Sequence, residues 1–159
     1  LAQSAATLGL TELAVDLLKD GFKRNKAASL KLSKEMAESY RTVANYMRVN
    51  GQAEAFEHSL SLSMRIHPDQ TGLNILAMQA LQRGASQSAV SLYRQSLEID
   101  HSQARVHASL GAVLLQDGTL SATKALIHLQ TAIELDPGLE TRLQPLLTEA
   151  LRIATEKAL

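Results

Sequence analysis

Five histidines, His58, His67, His101, His107 and His128, are the side chains best suited to holding a metal or moving a proton. Their spacing supports neither use, because no two stand four apart on one helical face and none sits in an HExxH segment. Two pairs of carboxylates, Glu98 with Asp100 and Glu134 with Asp136, are close enough in sequence for general acid and base work. They recur at matching places, each time closing a helical stretch, so they read as solvated helix ends. Serines are abundant, but no GxSxG elbow presents one as a nucleophile, and no glycine-rich phosphate loop follows a strand. The absence of cysteine removes thiolate chemistry, disulfides and sulfur-ligated metals together. What remains is non-covalent. Arg41 and Asn45 are four residues apart, reach the same side of a helix, and suit a carboxylate or the backbone amides of an extended chain. The expectation is a chain that is no enzyme and carries neither cofactor nor metal.

The elements that position such residues must be helical. Aromatics make up 3% of the chain, β-branched runs are missing, and Ala, Leu, Gln, Glu, Lys and Arg dominate, which disfavours strands. The 159 residues suffice for one continuous core, and sixteen Lys and Arg offset sixteen Asp and Glu. That balance supplies no general field for nucleic acid or anionic membrane, so no nucleic-acid partner is expected. Apolar runs such as 112–115 fall far short of the roughly 20 residues that span a bilayer, so no membrane insertion is expected either. The chain opens with Leu1 and shows no signal segment there. Lack of cysteine suits cytosol or periplasm, and the cytoplasm is the expected location.

Apolar residues recur at three and four, as in Tyr40, Val43, Ala44 and Met47, and again in Val106, Leu110, Val113 and Leu114. Glycines punctuate the pattern: 33 residues separate Gly51 from Gly84 and 34 separate Gly84 from Gly118, with Gly9 at a longer interval. Counting back from these glycines, a large residue precedes a small one in Leu1-Ala2, Val43-Ala44, Leu76-Ala77 and Leu110-Gly111. Counting forward, small residues at Ala14, Ala89 and Ala125 are followed four later by Leu18, Tyr93 and Leu129, while Phe56 stands before Leu60. The stretch then closes near Pro68, His101 or Pro137. A small side chain lets the next helix approach while the large one fills the groove beside it. Neither helix of such a pair buries its stripe alone, so the pairs must stack in series and leave one face lined by the first helices.

These residues resemble the tetratricopeptide repeat, most closely in Leu110-Gly111, in Gly84, in Ala89 with Tyr93, and in Leu135-Asp136-Pro137. The resemblance covers about 1–138. It implies an all-α fold, a right-handed superhelical α-solenoid of helix-turn-helix units with a C-terminal capping helix. The expected units are a partial one at 1–26, a connection or helix extension at 27–35 near the candidate N-cap Ser33, and full units at 36–69 and 70–103. A unit at 104–139 with a two-residue insertion in its turn follows, and then a capping helix and tail at 140–159.

The resemblance also implies a concave face that binds a partner protein or peptide. The family pattern puts Glu38, Arg41, Asn45 and Arg48 there from one unit, Asn74, Met78 and Leu81 from the next, and Arg105, Ala108 and Ala112 from the last. One end is basic and the middle apolar. Some family members grip a terminal carboxylate with basic residues and Asn, and Arg41 with Asn45 matches part of that clamp. Ile75 and Ser109 stand where the clamp wants other residues, which disfavours chaperone tails. The expected function is a scaffold for a partner segment. The alternatives are self-assembly through stacked repeats, giving a homo-oligomer, or the non-catalytic arm of a larger enzyme or assembly machine.

Overall fold

The computed structural model describes Asp20, residues 29–116 and residues 122–156. The expected partial unit at 1–26 with Gly9, and the inserted turn around Gly118, lie outside the described residues. Among the described residues every regular element is helical. The order is α1 (Ser29–Val49), α2 (Ala53–Ile66), α3 (Gln70–Gln82), α4 (Ser86–Ile99), α5 (Ala104–Gln116), α6 (Ala122–Leu135), a 3-10 turn at Pro137–Leu139, and α7 (Glu140–Glu156). Ser33 lies inside α1 rather than capping it, because the helix already begins at Ser29. Two compact units divide the chain, Leu1–Gly72 and Leu73–Leu159.

In the first unit α1 packs on α2. Tyr40, Val43, Ala44 and Met47 form the buried stripe of α1, at the three-and-four spacing of one helical face, and α2 answers with Phe56, Leu60, Ser63 and Met64. Gly51 turns the chain between them with φ 71°, which lets the amide of Gln52 donate to the Met47 carbonyl at 2.9 Å. Ser63 is fully buried, and its hydroxyl is satisfied by donating to the Ala37 carbonyl at 2.7 Å, a polar stitch between the two helices. Gly72 closes the unit against Met64 so tightly that an added Cβ would fall 2.3 Å from the Met64 sulfur.

The second unit repeats the turn at Gly84, φ 73°, where the amide of Ala85 donates to the Ala80 carbonyl at 2.8 Å. Ala77 and Ala80 of α3 share one core with Ala89, Tyr93 and Leu97 of α4 and with Val106, Leu110 and Leu114 of α5. A neighbouring cluster joins Leu129 and Ala132 of α6 to Leu143 and Ala150 of α7. Alternation of size explains the closeness of α5 and α6. A Cβ on Gly111 would lie 2.7 Å from Leu129 Cγ and 3.1 Å from the Ala125 carbonyl oxygen. Leu129 is thereby fully buried, which stabilises the pair by about 2–3 kcal/mol.

The ends of α2, α4 and α6 share one geometry. His67, Asp100 and Asp136 adopt φ of −146°, −146° and −143°, each with its amide donating to the carbonyl four residues back. Pro68 and Pro137 impose the extended conformation on the residue before them. Asp100 precedes His101 instead, and is held by Ser102, whose amide and hydroxyl donate to Asp100 Oδ1 at 2.9 and 2.6 Å. The Ser102 hydroxyl, then its amide, keeps the Asp100 carboxyl below the usual carboxylate range. Asp136 likewise accepts from the Gly138 amide at 3.1 Å. Asp100 and Asp136 are therefore turn-fixing groups.

Candidate functional site

Met78, Arg105, Ala108 and Ala112 line one cavity of about 360 Å³ in the second unit. Their register puts them there. On α3, Leu76, Ala77 and Ala80 take the buried positions, so Met78 points away from the core and is 56% exposed. On α5, Val106, Leu110 and Leu114 face inward, and Arg105, Ala108 and Ala112 follow each other at three and four on another side. Two alanines leave the hollow and Met78 provides a polarizable wall.

The opposite wall was not among the expected site residues. It is made by Leu139 of the 3-10 turn and by Arg142, Leu143 and Leu146 of α7. Reading that stretch only as a cap treats its apolar residues as core. Continuing the repeat register past Pro137 carries the missing signal, because it sets Arg142 in the first turn of α7 as Arg105 is set in the first turn of α5. Ser109 also lines the cavity, and its side chain lies beside the Tyr93 phenol. Burial pushes the Tyr93 phenol up, and the Ser109 hydroxyl partly offsets this.

Asn74 and Leu81, expected on the same face, do not line that cavity. Asn74 donates through Nδ2 to Gln103 Oε1 at 2.8 Å. Gln103 in turn donates through Nε2 to the carbonyls of Ser96 at 3.0 Å and Asp100 at 2.9 Å, so one amide ties the start of α5 to the end of α4. Leu81 is partly buried against the core of α3, α4 and α5.

Glu38, Arg41, Asn45 and Arg48 are all exposed along α1 in the first unit. Arg41 is paired with Asp69, whose second carboxylate oxygen accepts the Gly72 amide at 2.8 Å in the first turn of α3. Asn45 Oδ1 accepts from Arg48 Nε at 3.2 Å and Nη2 at 3.1 Å. The two residues that matched part of a carboxylate clamp thus have side-chain partners of their own.

One constellation had no sequence signal. His107 of α5 and His128 of α6 meet with their Nδ1 atoms 3.0 Å apart. His107 Nε2 lies 3.2 Å from the His101 carbonyl, which can only accept, so the proton of neutral His107 sits on Nε2. His107 Nδ1 is then the acceptor and His128 Nδ1–H the donor. Burial, then the His107 ring and Arg94, hold the His128 imidazole below its ordinary value. Among the described residues no group of three or more His, Asp or Glu gathers as a metal-ligand set, and no helix is long and apolar enough to cross a membrane.

The sequence matches no protein-family model and no curated protein. Solved structures do resemble the fold. The crystal structure of MamA superposes with a TM-score of 0.54 at 16% identity, over 99% of this chain and 96% of that one. YrrB, described as a TPR protein with an unusual peptide-binding site, gives 0.55 at 14% identity, over 97% and 83%. A MamA RS-1 double mutant gives 0.53 at 15% identity, over 98% and 92%. At such identities the likeness concerns the fold, which is an all-α, tetratricopeptide-type solenoid.

Proposed function

We propose that this tetratricopeptide-type chain is a scaffold that holds a segment of a partner polypeptide on the face lined by α3, α5 and α7. The cavity beside Met78 carries the reading. It is a concave, mostly apolar hollow whose lining comes from α3, α5, α7 and the 3-10 turn before α7, and a large exposed thioether borders it. YrrB, with a similar fold, is described as having a peptide-binding site, which supports the same class of ligand here. The exposed strip of Glu38, Arg41, Asn45 and Arg48 on α1 is proposed as a separate polar surface of the first unit.

A photo-crosslinking residue replacing Met78 tests it, with the same residue replacing Glu98 on α4 as control. The expected outcome is a polypeptide captured from position 78 alone and lost when Ala112→Trp fills the cavity. Equal capture from both positions, or capture indifferent to Ala112→Trp, counts against the proposal. Self-association is the second reading, favoured by Ile127 of α6 and Leu151 of α7, both large apolar residues that are about half exposed. Sedimentation across a wide concentration range, finding only a monomer of the intact protein, rules it out.

A further inference from the structure

We infer that the occupant of the cavity is an internal segment of a partner protein that carries a bulky aliphatic residue flanked by side-chain carboxylates. The inference rests on the proposed docking face and names the chemistry that face selects. Its first ground is charge. Arg105 and Arg142 both line the cavity, both are exposed, and neither has a charged partner among the described residues, whereas Arg41 is paired with Asp69 and Arg152 with Glu149 and Glu156. No acidic residue lines the cavity.

The second ground is where these arginines stand. Each rises from the first turn of its helix, the end where exposed backbone amides already give the macrodipole its positive pole and where a cation is unfavourable. The first turn of α5 contains no acidic residue to offset this, whereas that of α7 carries Glu140. Two guanidiniums and the positive pole of α5 therefore act on one cavity, and an anion docking there relieves the unfavourable placement of Arg105.

The third ground separates an internal segment from a chain terminus. A terminal carboxylate held inside the hollow needs polar donors in its interior. Apart from the two arginines the lining is Met, Ala and Leu with the single hydroxyl of Ser109, too few donors to hold a carboxylate in the interior. Asn74, the amide that the register puts nearest, is engaged by Gln103. Charge is thus welcome at the exposed rim and apolar surface in the interior, which is the order of an acidic, aliphatic, acidic segment with its ends elsewhere.

Selection of a displayed random-peptide library on the intact protein, with the Ala112→Trp variant as counter-target, tests this. Peptides enriched over the counter-target should share an aliphatic residue with Asp or Glu on both sides. Synthesised with amidated ends, they should bind the double variant Arg105→Glu, Arg142→Glu at least tenfold more weakly, while peptides with Lys in place of the acids should gain affinity for it. Circular dichroism of both variants confirms that each is folded. Enriched peptides that are apolar without acids, or that need a free terminal carboxylate, overturn this inference and leave the docking face standing. No enrichment over the counter-target overturns both. Concentration-dependent association of the protein itself that Ala112→Trp abolishes assigns the cavity to a second copy, and also overturns the inference.

Discussion

Protonation at the His107 and His128 contact sets the sign of one pH dependence. His128 has its folded-state pKa lowered by burial, by His107 and by Arg94, so the unfolded chain binds the proton more readily than the native one. The stability it contributes is complete above the unfolded value of about 6.5 and is lost as pH falls through the lower folded value. The expected outcome is a lower melting temperature at pH 5.5 than at pH 7.5, with the difference reduced in His128→Gln, as followed by circular dichroism. An unchanged pH dependence in that variant would remove His128 from the account. Gly111 gives a second prediction at this scale. Gly111→Ala meets the fully buried Leu129 and the Ala125 carbonyl, neither free to retreat. Overpacking of about 1–3 kcal/mol then outweighs the helix-propensity gain of about 1 kcal/mol, and urea denaturation should show a net loss of stability. The family pattern put Met78, Ala108 and Ala112 on one face of the first helices of their units, and the structure has them lining one cavity. The imidazole pair was not legible in the sequence, because its members are 21 residues apart on different helices and no local spacing encodes their meeting.

Turns and helix ends carry the next level. Gly51 and Gly84 stand in left-handed backbone with open space around the missing Cβ, so Gly84→Ala should cost about 1–2 kcal/mol from backbone strain alone. Urea titration of Gly84→Ala beside an Ala substitution of a neighbouring exposed helix residue isolates that strain; equal midpoints would refute it. On α7, Pro145 is exposed and interrupts an otherwise continuous helix. Pro145→Ala restores an amide donor for the Thr141 carbonyl and should raise the melting temperature, because an interior proline costs about 3 kcal/mol. Both glycine turns and the two prolines after α2 and α6 could be read directly, since those residue types dictate backbone geometry. The start of α1 could not, because Ser33 is as compatible with a helix interior as with a cap and packing decides between them. For the same reason α7 was legible as a helix and not as the wall of a cavity: its apolar stripe says that it docks, not what the docked helix leaves open.

Across the whole molecule stability should be local, as neighbouring helices in a repeat array hold one another and little else. Leu143 anchors α7 to α6 in the core of the second unit. Leu143→Ala should therefore cost about 2–5 kcal/mol in that region and speed amide exchange in α6 and α7, with the protection of α1 and α2 unaltered. Uniform loss of protection in all seven described helices would instead indicate a single cooperative body. The tetratricopeptide-type architecture was the most legible feature of all, since four glycine registers repeat the same large and small positions and no single site has to be right. A practical gift follows from the aromatic content. The chain has no tryptophan and three tyrosines, with Tyr40 buried in one unit and Tyr93 in the other. Near-ultraviolet absorbance thus offers two label-free channels, and recording Tyr40→Phe beside Tyr93→Phe would let the melting of each half be timed in the same cuvette.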